Sequence, residues 1–509
     1  MPIATLQSAG LMGIDAYPIY VEVDITRGMP GWSTVGLPES AVKESKDRVI
    51  SAIYNSGYEF PFRRITLNLA PADVRKHGTA FDLPIAVGLL AAGGLLPISE
   101  IKDYFLLGEL SLNGKLRPIR GALSVAILAK EMKLKGIIIP VENIWEAKQV
   151  SGIEVLGAKD LPSVVEFLLG RAKLPLAEAL PCPPAPELPA YPDFCDVKGQ
   201  AYAKRALEVA AAGCHNIVMV GPPGTGKSML ASRLPSILPP MSFEESLTTT
   251  KIYSLMGLLK SGESLIEQRP FRSPHHTVSD AGLIGGGTLP KPGEVSLAHN
   301  GVLFLDELTE FKKHVLDSLR QPIETQTVTI SRALQSLTYP ARFLLVAAMN
   351  PCPCGQLGNT QANCLCPAAT VQRYQAKISG PLLDRIDLQI DVPPLSYSEL
   401  SSKNLGEASE AIRKRVTEAQ QRQLKRFVES KIYSNSQMGP QEIRKHCALD
   451  ANAEKLLELA IKKWNLSARA YNRILKVART IADLEASAGI EVTHLSEAIG
   501  YRSLDKKIM

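Results

Sequence analysis

The sequence predicts a multidomain α/β protein in three parts: an α+β unit over residues 1–172, a parallel α/β core over 196–393 and an all-helical lid over 394–509. Three observations predict this division. Seven prolines between Pro175 and Pro192 remove backbone donors and disfavour helix, so residues 173–195 read as an extended, semi-rigid linker. Beyond them, compact apolar runs suited to strands buried on both faces alternate with helical stretches, the pattern of a parallel sheet. After Pro394 the periodicity becomes helical throughout.

The elements follow in order. Tyr17–Ile25 and Arg64–Leu69 are rich in β-branched and aromatic residues and read as strands. Leu83–Leu96 and Gly121–Lys133 read as helices, and Gly136–Pro140 as a buried strand. Past the linker, Ile217–Val220, Val302–Leu305 and Phe343–Ala347 read as buried strands. In the lid, helices are expected over Leu405–Phe427, Ala451–Trp464, Ala468–Ser487 and Thr493–Ala498.

Composition narrows the class. A chain of 509 residues suits about three domains. Hydrophobic residues at 45% and charged residues at 21% exclude a disordered or fibrous chain. The longest nearly apolar stretch, Ile85–Ile98, is shorter than the ~20 residues a bilayer requires and is broken by Gly93, Gly94 and Pro97, so no membrane association is expected. The N-terminus lacks a basic region followed by an apolar core, which points to the cytoplasm. The net charge of +6 conceals an asymmetry: from Ala411 to Met509 there are 19 Lys plus Arg and 11 Asp plus Glu, a balance of +8, leaving −2 for the rest. That region is either an anion-binding surface or a solvated helical face.

Gly221-Pro222-Pro223-Gly224-Thr225-Gly226-Lys227-Ser228 fits the phosphate-binding loop, with the strand-like Asn216–Val220 before it and the helix-like Met229–Leu234 after it. Its glycines let backbone N–H groups and a helix N-terminus face a phosphate. Lys227 would reach the β- and γ-phosphates of ATP, and Ser228 would hold Mg²⁺. Asp306 and Glu307 follow the apolar run Val302–Leu305, where open parallel sheets place ligands. Asp306 would bind Mg²⁺ through water, and Glu307 would orient and deprotonate the attacking water. Asn350 ends the next strand and is expected to sense the γ-phosphate. Arg385 at the end of the core and Arg469 in the lid are candidates for stabilising transition-state charge, with Arg473 competing with Arg469.

Cys352, Cys354, Cys364 and Cys366 form two tight C-x-C pairs, able to hold Zn²⁺, to remain as reduced thiols or to serve redox chemistry. The doublet His275-His276 suggests a positioning or nucleic-acid role more than a second metal site.

Together these residues resemble the Mg-chelatase-like branch of the AAA+ ATPases, the family typified by ComM and YifB. The resemblance spans essentially the whole chain and rests on Arg269–Gly287, Pro290–Glu307, Ala347–Gly355, Gly380–Leu388 and Leu466–Leu484. It implies a homo-hexameric ring in which Arg385 acts on a neighbour's nucleotide and Arg469 is the second sensor. It also implies a helix-2 insert over about Pro270–Gly293 and a β-hairpin over about Thr325–Leu337, with Arg332 near the tip, facing nucleic-acid phosphates. The first unit looks like the Lon-protease-type domain, with Ala80 near the place of the serine and no lysine in Pro118–Val125. Thr79 is a nearby hydroxyl without an evident activating partner, so no protease activity is expected.

The expected function is an ATP-dependent motor on single-stranded or branched DNA. By resemblance its task is helicase-like branch migration of joint molecules while transforming DNA is integrated by homologous recombination, together with recombination proteins. The alternative is a chaperone-like ATPase of the Mg-chelatase type that remodels a protein complex.

Overall fold

The structure, a computed structural model, describes residues 3–177, 191–260, 262–288, 290–332, 335–359, 362–401, 406–430, 432–464, 466–502 and 504. Most of the proline-rich linker, residues 178–190, lies outside the described residues. The chain forms two compact units: Met1–Leu188 with Phe243–Ile266, and Pro189–Ser242 with Glu267–Met509.

The first unit is built on a seven-stranded mixed sheet. Its order is Gly31–Val35, Arg64–Ala70, Asp15–Thr26, Ala4–Met12, Tyr104–Leu106, Gly136–Pro140 and Glu154–Ala158. Ile19, Val21, Val23 and Ile25 alternate inward along the long second strand. Over them lies the wholly buried helix Asp82–Ala92. Its Gly88 permits the approach, since a Cβ there would meet Val23 Cγ2 at 2.7 Å. That helix stops short of Leu96 because Gly94 takes a left-handed turn and Leu95 N–H returns to the Leu90 carbonyl at 3.0 Å. The helix expected over Gly121–Lys133 runs over Ala122–Glu131.

The helix Phe243–Met256 also belongs to this unit, although the chain reaches it from the middle of the second. Ser254 is buried there, donating to the buried Glu146 carboxylate and accepting the Gly121 N–H at 3.0 Å. Burial pushes the Glu146 carboxyl up, against the hydrogen bonds from Ser254 and Asn143.

The second unit carries a five-stranded, all-parallel sheet in the order Phe271–Arg272, Val302–Leu305, Leu344–Met349, Ile217–Val220 and Leu388–Asp391. Three of the four longer strands, Ile217–Val220, Val302–Leu305 and Leu344–Met349, are unbroken apolar runs, as burial on both faces requires, while Leu388–Asp391 carries Gln389 and Asp391. The strand Ile217–Val220 lies between later strands, so the chain reverses direction across the sheet at its carboxyl end. Helices described after Pro394 pack with this sheet. Ile474, Leu475, Val477 and Ala478 of the helix Ala468–Leu484 share one core with Val209, Ala210 and Ile217.

The lid elements shift slightly from expectation. The helix expected from Leu405 begins at Ser409, after an extended Ala408, and residues 402–405 lie outside the described residues. The helix Ala468–Leu484 ends before Ser487 because Ala486 turns left-handed. The last helix is longer than its pattern, Val492–Gly500. Among the described residues, no helix is long and apolar enough to cross a membrane.

Candidate nucleotide site

Register brings the predicted groups together. Val220 pairs with Met349, so Gly221 and Asn350 leave the sheet side by side; Leu305 pairs with Ala347, which places Asp306 at the same edge. The loop Gly221–Gly226 then opens the helix Lys227–Ile237. Gly224 and Gly226 have φ of +77° and +86°, and a Cβ built on either meets no heavy atom within 4 Å. The loop is therefore a hollow lined by backbone, shaped for an anion at a helix N-terminus.

Lys227 crosses this hollow. Its Nζ donates to the carbonyls of Gly221 at 2.7 Å and Pro222 at 2.8 Å, and lies 3.4 Å from Asn350 Oδ1. Burial lowers its pKa, partly offset by Asp306. Thr225 closes the loop by donating to the Pro222 carbonyl at 3.0 Å. Ser228 Oγ donates to Asp306 Oδ2 at 2.6 Å, so a hydroxyl and a carboxylate already converge as a hard-cation site requires. Glu307 sits in left-handed backbone, φ 52°, with its side chain 58% exposed and Oε2 3.6 Å from His276 Nδ1. These residues fit MgATP: Mg²⁺, when bound, neutralises charge on the β- and γ-phosphate oxygens. In the roles expected from the sequence, Lys227 and the loop N–H groups would hold those phosphates and Glu307 would accept a water proton.

The arginines separate by their partners. Arg473 donates to buried Asp387 and to the Arg385 carbonyl, the latter at 3.2 Å. Burial alone would raise the Asp387 pKa; Arg473 and His215 instead hold its carboxyl well below the usual range. Arg469 is 62% exposed and its Nη1 lies 3.8 Å from Asp384 Oδ2. Arg385 is folded back, 12% exposed, with Nη2 2.7 Å from Glu324 Oε1 and Nη1 donating to the Pro381 carbonyl at 2.6 Å. Its Nε is buried without a partner among the described residues. With Glu324, Asp387, Arg473 and Lys476 it lines a cavity of about 480 Å³.

The four cysteines converge. Sγ–Sγ distances are 3.4 Å for Cys352–Cys354 and 3.6 Å for Cys352–Cys364 and Cys354–Cys364, with all four Sγ atoms within 4.8 Å of one another. Tetrahedral Zn²⁺ with ~2.3 Å bonds sets sulfur edges near ~3.8 Å, so the set fits zinc. The Gln356 backbone N–H, then Cys352 and Cys366, bring the Cys354 thiol down to about 6. The knuckle is seated against the phosphate loop: Gly355 has φ +77°, and a Cβ there would stand 2.6 Å from Pro223 Cδ.

Arg332 is exposed and is the last described residue of the strand Thr327–Arg332, paired with Gln335 of Gln335–Pro340. The hairpin therefore runs to Pro340, three residues past its expected end. Arg332 Nε donates to the Gly287 carbonyl at 3.4 Å, so hairpin and insert touch. Sequence reasoning missed three contacts: His276 with Glu307, Glu324 with Arg385, and Gly355 with Pro223. Only the first had a signal, the histidine doublet. In the first unit Thr79 does have a partner, donating to the Glu109 carboxylate, while a methyl group stands at Ala80.

Residues 193–400 match the family described as magnesium chelatase, subunit ChlI; residues 406–502 match its C-terminal region and 21–143 match subunit ChlI of Mg-chelatase. The chain is 46% identical to competence protein ComM of Haemophilus influenzae, over 99% of this chain and 98% of that one. It is equally 46% identical to the uncharacterized protein YifB of Salmonella typhimurium, over 100% and 99% of the two chains. Lon protease 2 of Bacillus subtilis is 30% identical over 132 residues, 26% of this chain and 23% of that one. The chain thus combines a Lon-like first unit with a P-loop core and helical lid, and it belongs to the Mg-chelatase-like AAA+ ATPases of the ComM/YifB family.

Proposed function

We propose that the protein is an ATP-driven DNA motor that assembles as a hexameric ring and drives branch migration of joint molecules during integration of transforming DNA. The observation that carries this reading is the hairpin Thr327–Pro340. It presents an exposed arginine beside its tip and leads, after three residues, into the strand Leu344–Met349, which Asn350 follows. A cation there neutralises a backbone phosphate, and a strand is the shortest mechanical link from that contact to the nucleotide. The name of the ComM relative supports a role in competence.

In this reading the unit over 1–172 is a silent protease-like module, 196–393 the motor and 394–509 its lid. Arg385 serves a neighbour's nucleotide and leaves Glu324 to do so. Arg469 is the second sensor, because Arg473 is committed to Asp387. Cys352, Cys354, Cys364 and Cys366 hold one structural Zn²⁺.

The test is ATP turnover with and without single-stranded and branched DNA, at two salt concentrations. Stimulation that weakens steeply with salt supports the motor. Turnover indifferent to DNA, but stimulated by a protein partner, would support the remodelling alternative. Metal analysis of the folded chain reports the zinc: about one per chain is expected, and a zinc-free active protein removes it.

A further inference from the structure

Arg385 has a fixed backbone and a borrowed partner. It follows the short helix Gly380–Leu383, whose Pro381 carbonyl accepts its Nη1 at 2.6 Å, and its own carbonyl accepts Arg473 Nη1 at 3.2 Å. Its Nη2 lies 2.7 Å from Glu324 Oε1, on the helix Arg320–Thr325. That helix is tied to the same neighbour at its other end. Arg320 Nη2 donates to Ser379 Oγ at 3.0 Å, and Ser379 Oγ donates to Asp317 Oδ1 at 2.8 Å. After its last turn Gln326 becomes left-handed, φ 57°, and its side-chain oxygen accepts Gln437 Nε2 at 2.7 Å. Glu324 is therefore presented to Arg385 from a helix anchored at both ends.

The pair is made as a resting place, not as a piece of core. Glu324 is 53% exposed, so its carboxylate keeps much of its hydration and holds less tightly than a buried one. Arg385 Nε is buried without a partner among the described residues, a cost that an ion pair serving stability avoids by satisfying every donor. The two terminal nitrogens, which would meet a phosphoryl oxygen, are meanwhile occupied by Glu324 and the Pro381 carbonyl. Room to leave is at hand: both Arg385 and Glu324 line the cavity of about 480 Å³, so the side chain can turn without unpacking its neighbours. Arg473 lines the same cavity but is committed to the buried Asp387, which leaves Arg385 as the arginine there with a half-exposed counter-ion.

We propose that Glu324 is a positioning residue that holds Arg385 back in the unassembled chain and loses it to the neighbour's nucleotide when subunits meet. Carboxylate and phosphoryl oxygens compete for one guanidinium, so Glu324 sets the protein concentration at which the arginine is delivered. This rests on the reading of Arg385 as the residue that acts on a neighbour's nucleotide. The hold is modest, as a pair with one half-exposed member allows. Its removal lowers that concentration by about two- to fivefold.

The experiment compares wild type, Glu324→Ala and Glu324→Gln as full-length chains, each with and without Arg385→Ala. Turnover at saturating ATP is measured across protein concentration, and assembly is followed by sedimentation with a non-hydrolysable ATP analogue. Glu324→Ala is expected to lower the concentration for half-maximal turnover, and the assembly midpoint with it, by about two- to fivefold, with kcat at saturating protein little changed. Glu324→Gln, which keeps an oxygen acceptor but loses the charge, falls between the two. With Arg385→Ala present, neither substitution moves the assembly midpoint. Half-saturating concentrations that are unchanged or raised in both variants overturn the proposal, as does a shift that persists without Arg385. Failure of the underlying reading has its own signature. If Arg385→Ala turns over ATP like wild type at every protein concentration, the role on a neighbour's nucleotide is removed, and the proposal with it.

Discussion

Replacing Arg473 with methionine separates the two lid arginines by their opposite consequences. Arg473 is 21% exposed and its partner Asp387 is 4% exposed, so removing the guanidinium strands a buried carboxylate. Breaking one side of a buried pair costs about 3–5 kcal/mol. His215, 3.1 Å from the other Asp387 oxygen, remains, so the lower end, about 3 kcal/mol, is expected. Arg469→Met removes only an exposed pair at 3.8 Å and should change stability by less than about 0.5 kcal/mol. On the proposal that Arg469 is the second sensor, its effect falls on turnover: loss of one charge aimed at the transition state should lower kcat by about 10²-fold. Urea unfolding monitored on the second unit, together with ATP hydrolysis at saturating nucleotide, reads both quantities. A stable but hydrolytically dead Arg473→Met beside an active Arg469→Met would refute the assignment.

Three further outcomes are expected. Gly355→Ala forces a methyl against Pro223 in left-handed backbone, at a cost of about 1–2 kcal/mol for the conformation alone; KM for ATP should rise while zinc content holds, checked by nucleotide titration and metal analysis. Lys227→Ala should abolish ATP binding, whereas Glu307→Gln should bind ATP and fail to turn it over, checked by binding and single-turnover assays. His299 is buried, and burial, then Arg342 and Arg269, depress its pKa to about 3 from 6.5. The folded state thus binds fewer protons than the unfolded. Stability is full above pH 6.5 and falls as pH drops towards 3, by up to about 1.4 kcal/mol per pH unit; His299→Gln should flatten that slope in urea melts.

What was legible in the sequence was what burial writes in apolar letters. The parallel strands Ile217–Val220 and Val302–Leu305 stand out because both faces are covered, and the groups that follow them are placed by register. The helix Phe243–Met256 gave no such signal of where it packs. Its buried residues are Ser246, Thr249, Thr250, Ile252 and Ser254; the Thr249 and Thr250 hydroxyls donate to the helix's own carbonyls and Ser254 to Glu146, so a single isoleucine stands where a hydrophobic stripe would mark the face. The histidine doublet marked His276 but not its contact with Glu307, since adjacency across 31 residues depends on how the insert folds back. The parking of Arg385 on Glu324 depends on the approach of two elements whose sequences carry no mutual pattern.

The placement of Phe243–Ile266 has a consequence for the order in which the nascent chain can mature. The ribosome delivers the first unit's sheet early, but Glu146 keeps a buried carboxylate waiting for Ser254, 108 residues later. By then the phosphate loop and its helix have already been synthesised. Vectorial folding, one module finished before the next emerges, is therefore closed to this chain: the Lon-like module is completed by residues that interrupt the sequence of the second unit. A gene fragment ending in the proline-rich linker would encode a module lacking part of its own interior.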